Sequence, residues 1–137
     1  MAGAGWLIGI GHDLQRIADL DDAHALREPD VFFTAGEARR AGARAFPLQS
    51  FAGLFAAKEA LFKSLGGRLD AYWTDLEIVH DVHDAPSFRM HGALAALFDQ
   101  RHWRADVSIS HSGEYASAFV VVSSGGGPAP SPAASPA

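Results

Sequence analysis

The chain contains no cysteine. Disulfides, zinc knuckles and thiol nucleophiles are therefore excluded, and the composition fits a reducing compartment. No apolar run is long enough to span a bilayer. The first ten residues carry no basic side chain and are broken by Gly3, Gly5 and Gly9, so they do not read as a signal peptide. Positive charge is scarce as well. Lys and Arg number 11 against 16 Asp and Glu, a formal net charge of -5 at pH 7, which offers nucleic acid no electrostatic footprint. No histidine pair is spaced H-E-x-x-H, so a zinc hydrolase has no support. The glycines of Gly9-Ile10-Gly11 do not make a dinucleotide fingerprint, because Leu14 stands where the third glycine belongs. These absences leave a cytoplasmic protein with neither a membrane nor a nucleic acid as partner.

What remains is 137 residues, 48% hydrophobic and 20% charged, enough for one compact domain with a core. Trp6 to Ile10 reads as a buried strand that ends at Gly11. Asp13 is placed to cap a helix carrying Leu14, Ile17, Ala18 and Leu20. Thr34 and Glu37 form a capping-box pattern that opens a helix through about Arg44, and Pro47 is expected to stop it. Ser50 is expected to cap the best-specified helix. Its apolar stripe runs through Phe51, Leu54, Phe55, Ala57, Leu61, Phe62 and Leu65 and ends at Gly66-Gly67.

Leu76 to Val79 and Ser87 to Met90 read as strands around a turn, and Gly92 to Trp103 as a helix. Val107 to Ser110 and Ala116 to Val122 read as a hairpin whose turn holds His111. The order of elements predicts an α+β domain over residues 1–124, an antiparallel sheet packed against helices. Residues 125–137 are only Gly, Pro, Ala and Ser and read as a disordered tail. Met1 ahead of a whole domain points to a free-standing protein.

Three places carry candidate chemistry. Asp13 stands at the end of a glycine-rich strand, where a hard carboxylate suits Mg²⁺, though on this stretch alone a helix cap explains it better. Glu59 and Lys63 are four apart and share a helix face. A carboxylate beside an ammonium can hold a metal and a phosphate together, but on spacing alone an ordinary exposed ion pair describes them better. Ser110-His111-Ser112 puts an imidazole among hydroxyls, which can bind phosphate or simply decorate a turn. Arg39, Arg40 and Arg44 form a small basic cluster, ordinarily a solvated helix face.

Taken together, five segments in order resemble the holo-acyl-carrier-protein synthase family of phosphopantetheinyl transferases. They are GIGHD at 9–13, Phe33-Thr34-Ala35-Gly36-Glu37, FAAKEALFKSLG at 55–66, Asp75-Leu76-Glu77-Ile78, and SISHSGEYASAFVVV at 108–122. The resemblance spans roughly residues 7–123 and implies the 4'-phosphopantetheinyl transferase fold with one long signature helix.

It also implies that Asp13 and Glu59 hold Mg²⁺, that Lys63 lies beside the transferring phosphate, and that these three are the catalytic residues. Ser110, His111 and Ser112 would meet the nucleotide end of coenzyme A, and Phe55 and Gly66 would line the same cleft. The partners it implies are coenzyme A as substrate and an apo acyl carrier protein as acceptor. The active form would be a homotrimer, with His111 supplied by the neighbour of the chain that supplies Asp13 and Glu59.

Three features depart from the family pattern. Leu54 replaces the usual arginine before the signature helix motif. Phe62 is bulky where many relatives have a small residue. Asp19, Asp21 and Asp22 occupy a region that is basic in many members, leaving Arg39, Arg40 and Arg44 as the candidate positive surface for a carrier. A transferase dedicated to a polyketide or peptide synthase carrier, a non-catalytic relative that binds coenzyme A or a carrier, and a domain of a megasynthase are the competing readings.

Overall fold

The structure, a computed structural model, describes residues 5–23 and 28–125. The expected tail therefore lies outside the described residues except for Gly125. Among the described residues no helix is long and apolar enough to cross a membrane.

The elements run β1 (Trp6–Arg16), α1 (Asp19–Asp22), α2 (Ala35–Gly42), α3 (Pro47–Ser64), β2 (Leu76–His80), β3 (Pro86–Met90), α4 (Gly92–Arg101), β4 (Trp103–Ser112) and β5 (Tyr115–Ser124). The α+β class and antiparallel pairing are as expected, but the strands form two sheets rather than one. β1-β5-β4 make a three-stranded antiparallel sheet, and β2-β3 a separate hairpin.

Helix α3 lies between these layers and explains its own sequence. It is buried from Phe51 to Leu54, from Ala56 to Lys58, and at Ala60, Leu61 and Ser64. A helix buried on most sides must be apolar on most sides. The inner face of the three-stranded sheet gives Ala116, Ala118, Val120 and Val122 to the core, and the hairpin gives Leu76 and Ile78. Alternate residues of the run Ala118–Val122 therefore point into the protein, and from that run only Phe119 and Val121 lie on the sheet's outer face.

Four local expectations are corrected. β1 does not stop at Gly11. It pairs with β5 as far as Arg16↔Tyr115, so Asp13 is a strand residue and not a helix cap, and α1 shrinks to four residues. A continuous ladder along β5 outweighs the weak helical stripe at Leu14 and Ile17. Pro47 does not end a helix but begins α3, where its missing N–H leaves no bond unmade. Ser50 lies inside the first turn, its N–H bonded to the Phe46 carbonyl. His111 sits within β4, and the turn is Gly113-Glu114.

Two cappings hold as expected. Thr34 and Glu37 form a reciprocal capping box on α2. At the end of α3, the Gly67 N–H donates to the Phe62 carbonyl and the Gly66 N–H to Lys63, both at 3.0 Å. Gly66 (φ +70°) and Gly67 (φ +69°) adopt the left-handed conformation that this termination needs.

Glu37 does more than cap. Its carboxylate also accepts from the Ile78 N–H at 2.9 Å and from the Lys58 ammonium at 2.7 Å. Lys58 is fully buried and donates to the carbonyls of Phe32 (2.7 Å) and Trp73 (3.0 Å) as well. Burial pulls the ammonium below the usual lysine value, and the Glu37 carboxylate opposes that shift. One side chain thus joins α3 to α2, to the Phe32-Phe33 segment and to the turn before β2.

Removing one partner of this pair leaves an uncompensated buried charge. Lys58→Met is expected to cost about 3–5 kcal/mol in chemical denaturation. Adding Glu37→Gln should recover part of that loss, because the stranded charge goes while the cap and the Ile78 bond remain.

Candidate functional site

α3 crosses the three-stranded sheet diagonally, and glycines set the crossing. A Cβ on Gly11 would lie 1.8 Å from the Ala60 carbonyl oxygen, and one on Gly9 would lie 1.8 Å from that of Ser64. The C-terminal half of α3 therefore rests directly on the backbone of β1. At the other end, a Cβ on Gly53 would meet His111 Nε2 at 2.8 Å and Ile109 Cγ2 at 3.1 Å. The N-terminal half rests on β4.

This crossing brings Asp13 under the end of α3. Asp13 points inward beside Gly11, largely buried, and its Oδ1 accepts from the Lys63 ammonium at 2.8 Å. Lys63 is half-exposed and also donates to the His12 carbonyl at 3.3 Å. Glu59 stands one turn earlier on the same helix face, partly buried. Burial pushes its carboxyl above the usual glutamate value, the nearby Asp13 charge adds to that, and Lys63 opposes it. Asp13 on β1 is 46 positions from Glu59 and 50 from Lys63 on α3, yet the three form one cluster.

The rest of the expected set divides in two. Phe55, Glu59 and Lys63 follow one line along α3, and Gly66 stands just past its end. Phe55 is half-buried and stacked on Phe32 with ring centroids 5.0 Å apart. Phe62 packs against Trp73 at 5.6 Å.

Ser110, His111 and Ser112 do not reach this line within one chain. His111 turns inward against α3, its Nε2–H donating to the Gln49 carbonyl at 3.1 Å. It sits two strands from β1, roughly 10 Å at ordinary strand spacing. Ser110 and Ser112 alternate with it onto the outer sheet face.

The basic cluster is also redistributed. Arg40 donates to Glu77 and to the Ile78 carbonyl, and Arg44 grips Asp84 through two bonds of 3.1 and 2.6 Å. Two of its three charges are thus engaged with the β2-β3 hairpin rather than offered as free positive surface. Lys58 and its partner Glu37 escaped the sequence reading as a pair. The signal was present: Lys58 lies on the stripe of Leu54, Leu61 and Leu65, where a charge needs a buried partner.

Among the described residues no group of three or more His, Cys, Asp or Glu side chains stands together to hold a metal. The cluster offers two carboxylates and an ammonium. A hard divalent cation that draws its other ligands from phosphate and water fits such a donor set.

The profile of the 4'-phosphopantetheinyl transferase superfamily matches residues 9–120. A Clavibacter sepedonicus protein named holo-[acyl-carrier-protein] synthase is 47% identical over 79 residues, 57% of this chain and 66% of that protein. A protein of the same name from Methylobacterium radiotolerans is 37% identical over 126 residues, 85% of this chain and 93% of the other.

Among solved structures, the Mycobacterium tuberculosis acyl carrier protein synthase superposes with a TM-score of 0.67 at 31% identity. It covers 85% of this chain and 96% of its own. A Bacillus anthracis holo-(acyl-carrier-protein) synthase in complex with CoA (3',5'-ADP) superposes at 0.71 with 26% identity, covering 87% and 98%.

Because the cluster depends on helix and strand touching backbone to backbone, Gly11→Ala and Gly9→Ala should each lower the melting temperature, at a cost of about 1–3 kcal/mol. Gly42→Ala is the control, since a Cβ there meets nothing within 4 Å. It should leave the melting temperature unchanged or slightly raised.

Proposed function

The chain belongs to the 4'-phosphopantetheinyl transferase superfamily, in its holo-[acyl-carrier-protein] synthase branch, and on that premise we propose the reaction it performs. It moves 4'-phosphopantetheine from coenzyme A to a serine of an apo carrier protein, with Mg²⁺ as the metal cofactor. The observation that carries the reading is the meeting of Asp13, Glu59 and Lys63 where α3 crosses β1.

In this reading the serine oxygen bonds to the β-phosphorus, the bond from that phosphorus to the bridging oxygen breaks, and 3',5'-ADP leaves. Asp13 and Glu59 would hold the cation. When bound, it neutralises charge developing on the phosphate oxygens. Lys63 carries a half-exposed ammonium, so it can turn toward a phosphate oxygen while keeping Asp13 oriented. Asp13 is held by the Lys63 ammonium, which leaves Glu59 as the carboxylate placed to receive the serine proton. Phe55 lies on the same line of α3 as Glu59 and Lys63, and Gly66 just past the helix end, which suits them to the walls of a cleft for coenzyme A. A cytoplasmic location is part of the reading and agrees with a chain that has no cysteine.

A homotrimer completes the site. Two features support it. Ile10, Leu14 and Phe119 are 57%, 59% and 46% exposed on the outer face of the three-stranded sheet, an apolar surface suited to a second copy. Ser110, His111 and Ser112 lie apart from Glu59 within one chain, so a neighbour's β4 is the means of bringing them to it.

Two results are expected. Asp13→Ala and Glu59→Ala should each lower transfer by at least about 100-fold, read by mass spectrometry of the apo carrier, while the melting curve stays cooperative. Wild-type turnover in either variant would remove the assigned site. Inactive Glu59→Ala and inactive His111→Ala chains, mixed and allowed to exchange subunits, should regain part of the activity. A mixture that stays inactive after demonstrated exchange would exclude a shared site.

A further inference from the structure

The proposed reaction leaves Phe62 without a part, although that residue stands beside the reacting groups. Successive residues of an α-helix are turned by roughly 100°. By that rotation Phe62 lies roughly 60° to one side of Glu59 on α3, Phe55 roughly 40° to the same side and Lys63 roughly 40° to the other. Glu59 is therefore bounded on two sides. Lys63 and, bonded to it, Asp13 of β1 form the charged side. The other side is made of rings.

Phe62 packs on Trp73 with centroids 5.6 Å apart, Trp73 on Phe32 at 4.8 Å, and Phe32 on Phe55 at 5.0 Å. This chain of rings leaves α3 at Phe62 and returns to it at Phe55, so it runs as one wall along the flank of Glu59. Phe55, Phe62 and Trp73 are partly exposed, and Phe32 is buried behind them. The wall is also held in place. The carbonyls of Phe32 and Trp73 both accept from the buried Lys58 ammonium, at 2.7 and 3.0 Å. The Phe62 ring sits against the left-handed Gly67, where an added Cβ would come within 3.4 Å of it. Rings fixed in this way lose little freedom when a ligand covers them. The only polar side-chain atom in the wall is the Trp73 indole nitrogen, so an apolar group fits it.

Resting on the transferase reading above, we propose that this wall is the subsite for the pantoyl part of coenzyme A, with Phe62 as a specificity-determining residue. Covalent geometry selects the occupant. In coenzyme A the β-phosphorus is joined through one oxygen and one methylene to a quaternary carbon that bears two methyl groups. A β-phosphate held at Glu59 and Lys63 brings those methyls against the surfaces that flank Glu59. One flank is ionic, and only the aromatic flank takes methyl groups out of water without stripping water from a charge. Adenine lies on the far side of the β-phosphorus, beyond a second phosphate and a ribose. The wall thus holds the group that is transferred, not the group that leaves. Substrate is gripped through a surface that 3',5'-ADP does not touch.

The test is a calorimetric titration of the wild type and Phe62→Ala with coenzyme A and, separately, with 3',5'-ADP, both in Mg²⁺. Phe62→Ala should weaken coenzyme A by about five- to tenfold, the loss expected when two methyl groups are no longer buried. It should bind 3',5'-ADP as the wild type does, which also shows that the variant is folded. If the alanine variant does not fold, fluorescence of the wild type decides. Coenzyme A should then shift the emission of Trp73, identified with Trp73→Phe, and 3',5'-ADP should not. Wild-type coenzyme A affinity in Phe62→Ala, or equal loss of both ligands in a folded variant, would overturn the proposal. So would weakened carrier binding with coenzyme A affinity intact, which gives the wall to the carrier. Turnover by the wild type on an apo carrier judges the transferase reading separately. Phe62-dependent binding of coenzyme A without transfer keeps the subsite and removes that reading.

Discussion

Lys58 and Glu37 are both fully removed from solvent, and the arrangement of the domain turns on how their charges are satisfied. The ammonium has three acceptors and the carboxylate three donors, drawn from α2, α3, β2 and two connecting segments. A buried ion pair of this kind adds little net stability compared with an apolar pair, but it strongly penalises any packing that leaves one member alone. The benefit is therefore registry. α3 can take one depth and one rotation, and those two coordinates decide where Glu59 and Lys63 emerge. The sequence has only two lysines, both on α3 and five positions apart. One fixes the helix and the other works at its surface.

The second constraint is contact distance. Gly9 and Gly11 let α3 lie on β1 with carbonyl oxygens where side chains would otherwise stand. Two carboxylates then fall close together, so that burial first and the Asp13 charge second raise Glu59, while Lys63, bonded to Asp13, opposes the shift. Strain of this kind is expected at a site that will hold a cation, since the cation removes it.

Position along α3 also organises the asymmetry of the molecule. The helix begins over β4, with His111 at Gly53, and ends over β1, with Lys63 at Asp13. The two elements that the family resemblance joins in one cleft thus stand at opposite ends of one helix. The apolar outer face of the sheet, with Ile10, Leu14 and Phe119, lies opposite the face that α3 covers. It is a surface that a single chain leaves open.

The best-read parts of the sequence were those written in local chemistry. The capping box at Thr34, the glycine stop at Gly66, the apolar length of α3 and the strand pairs are each set by residues within a turn or two of one another. Asp13, Glu59 and Lys63 were legible as a set only through the resemblance, since each alone was better read as a cap or a surface pair. The tertiary structure decided the rest. It carried β1 past Gly11 because β5 offered a ladder. It also sank Lys58 beside Glu37 and turned His111 away from Ser110 and Ser112. These outcomes depend on partners 20 to 100 residues distant, and no local pattern specifies which of two distant surfaces a side chain will meet.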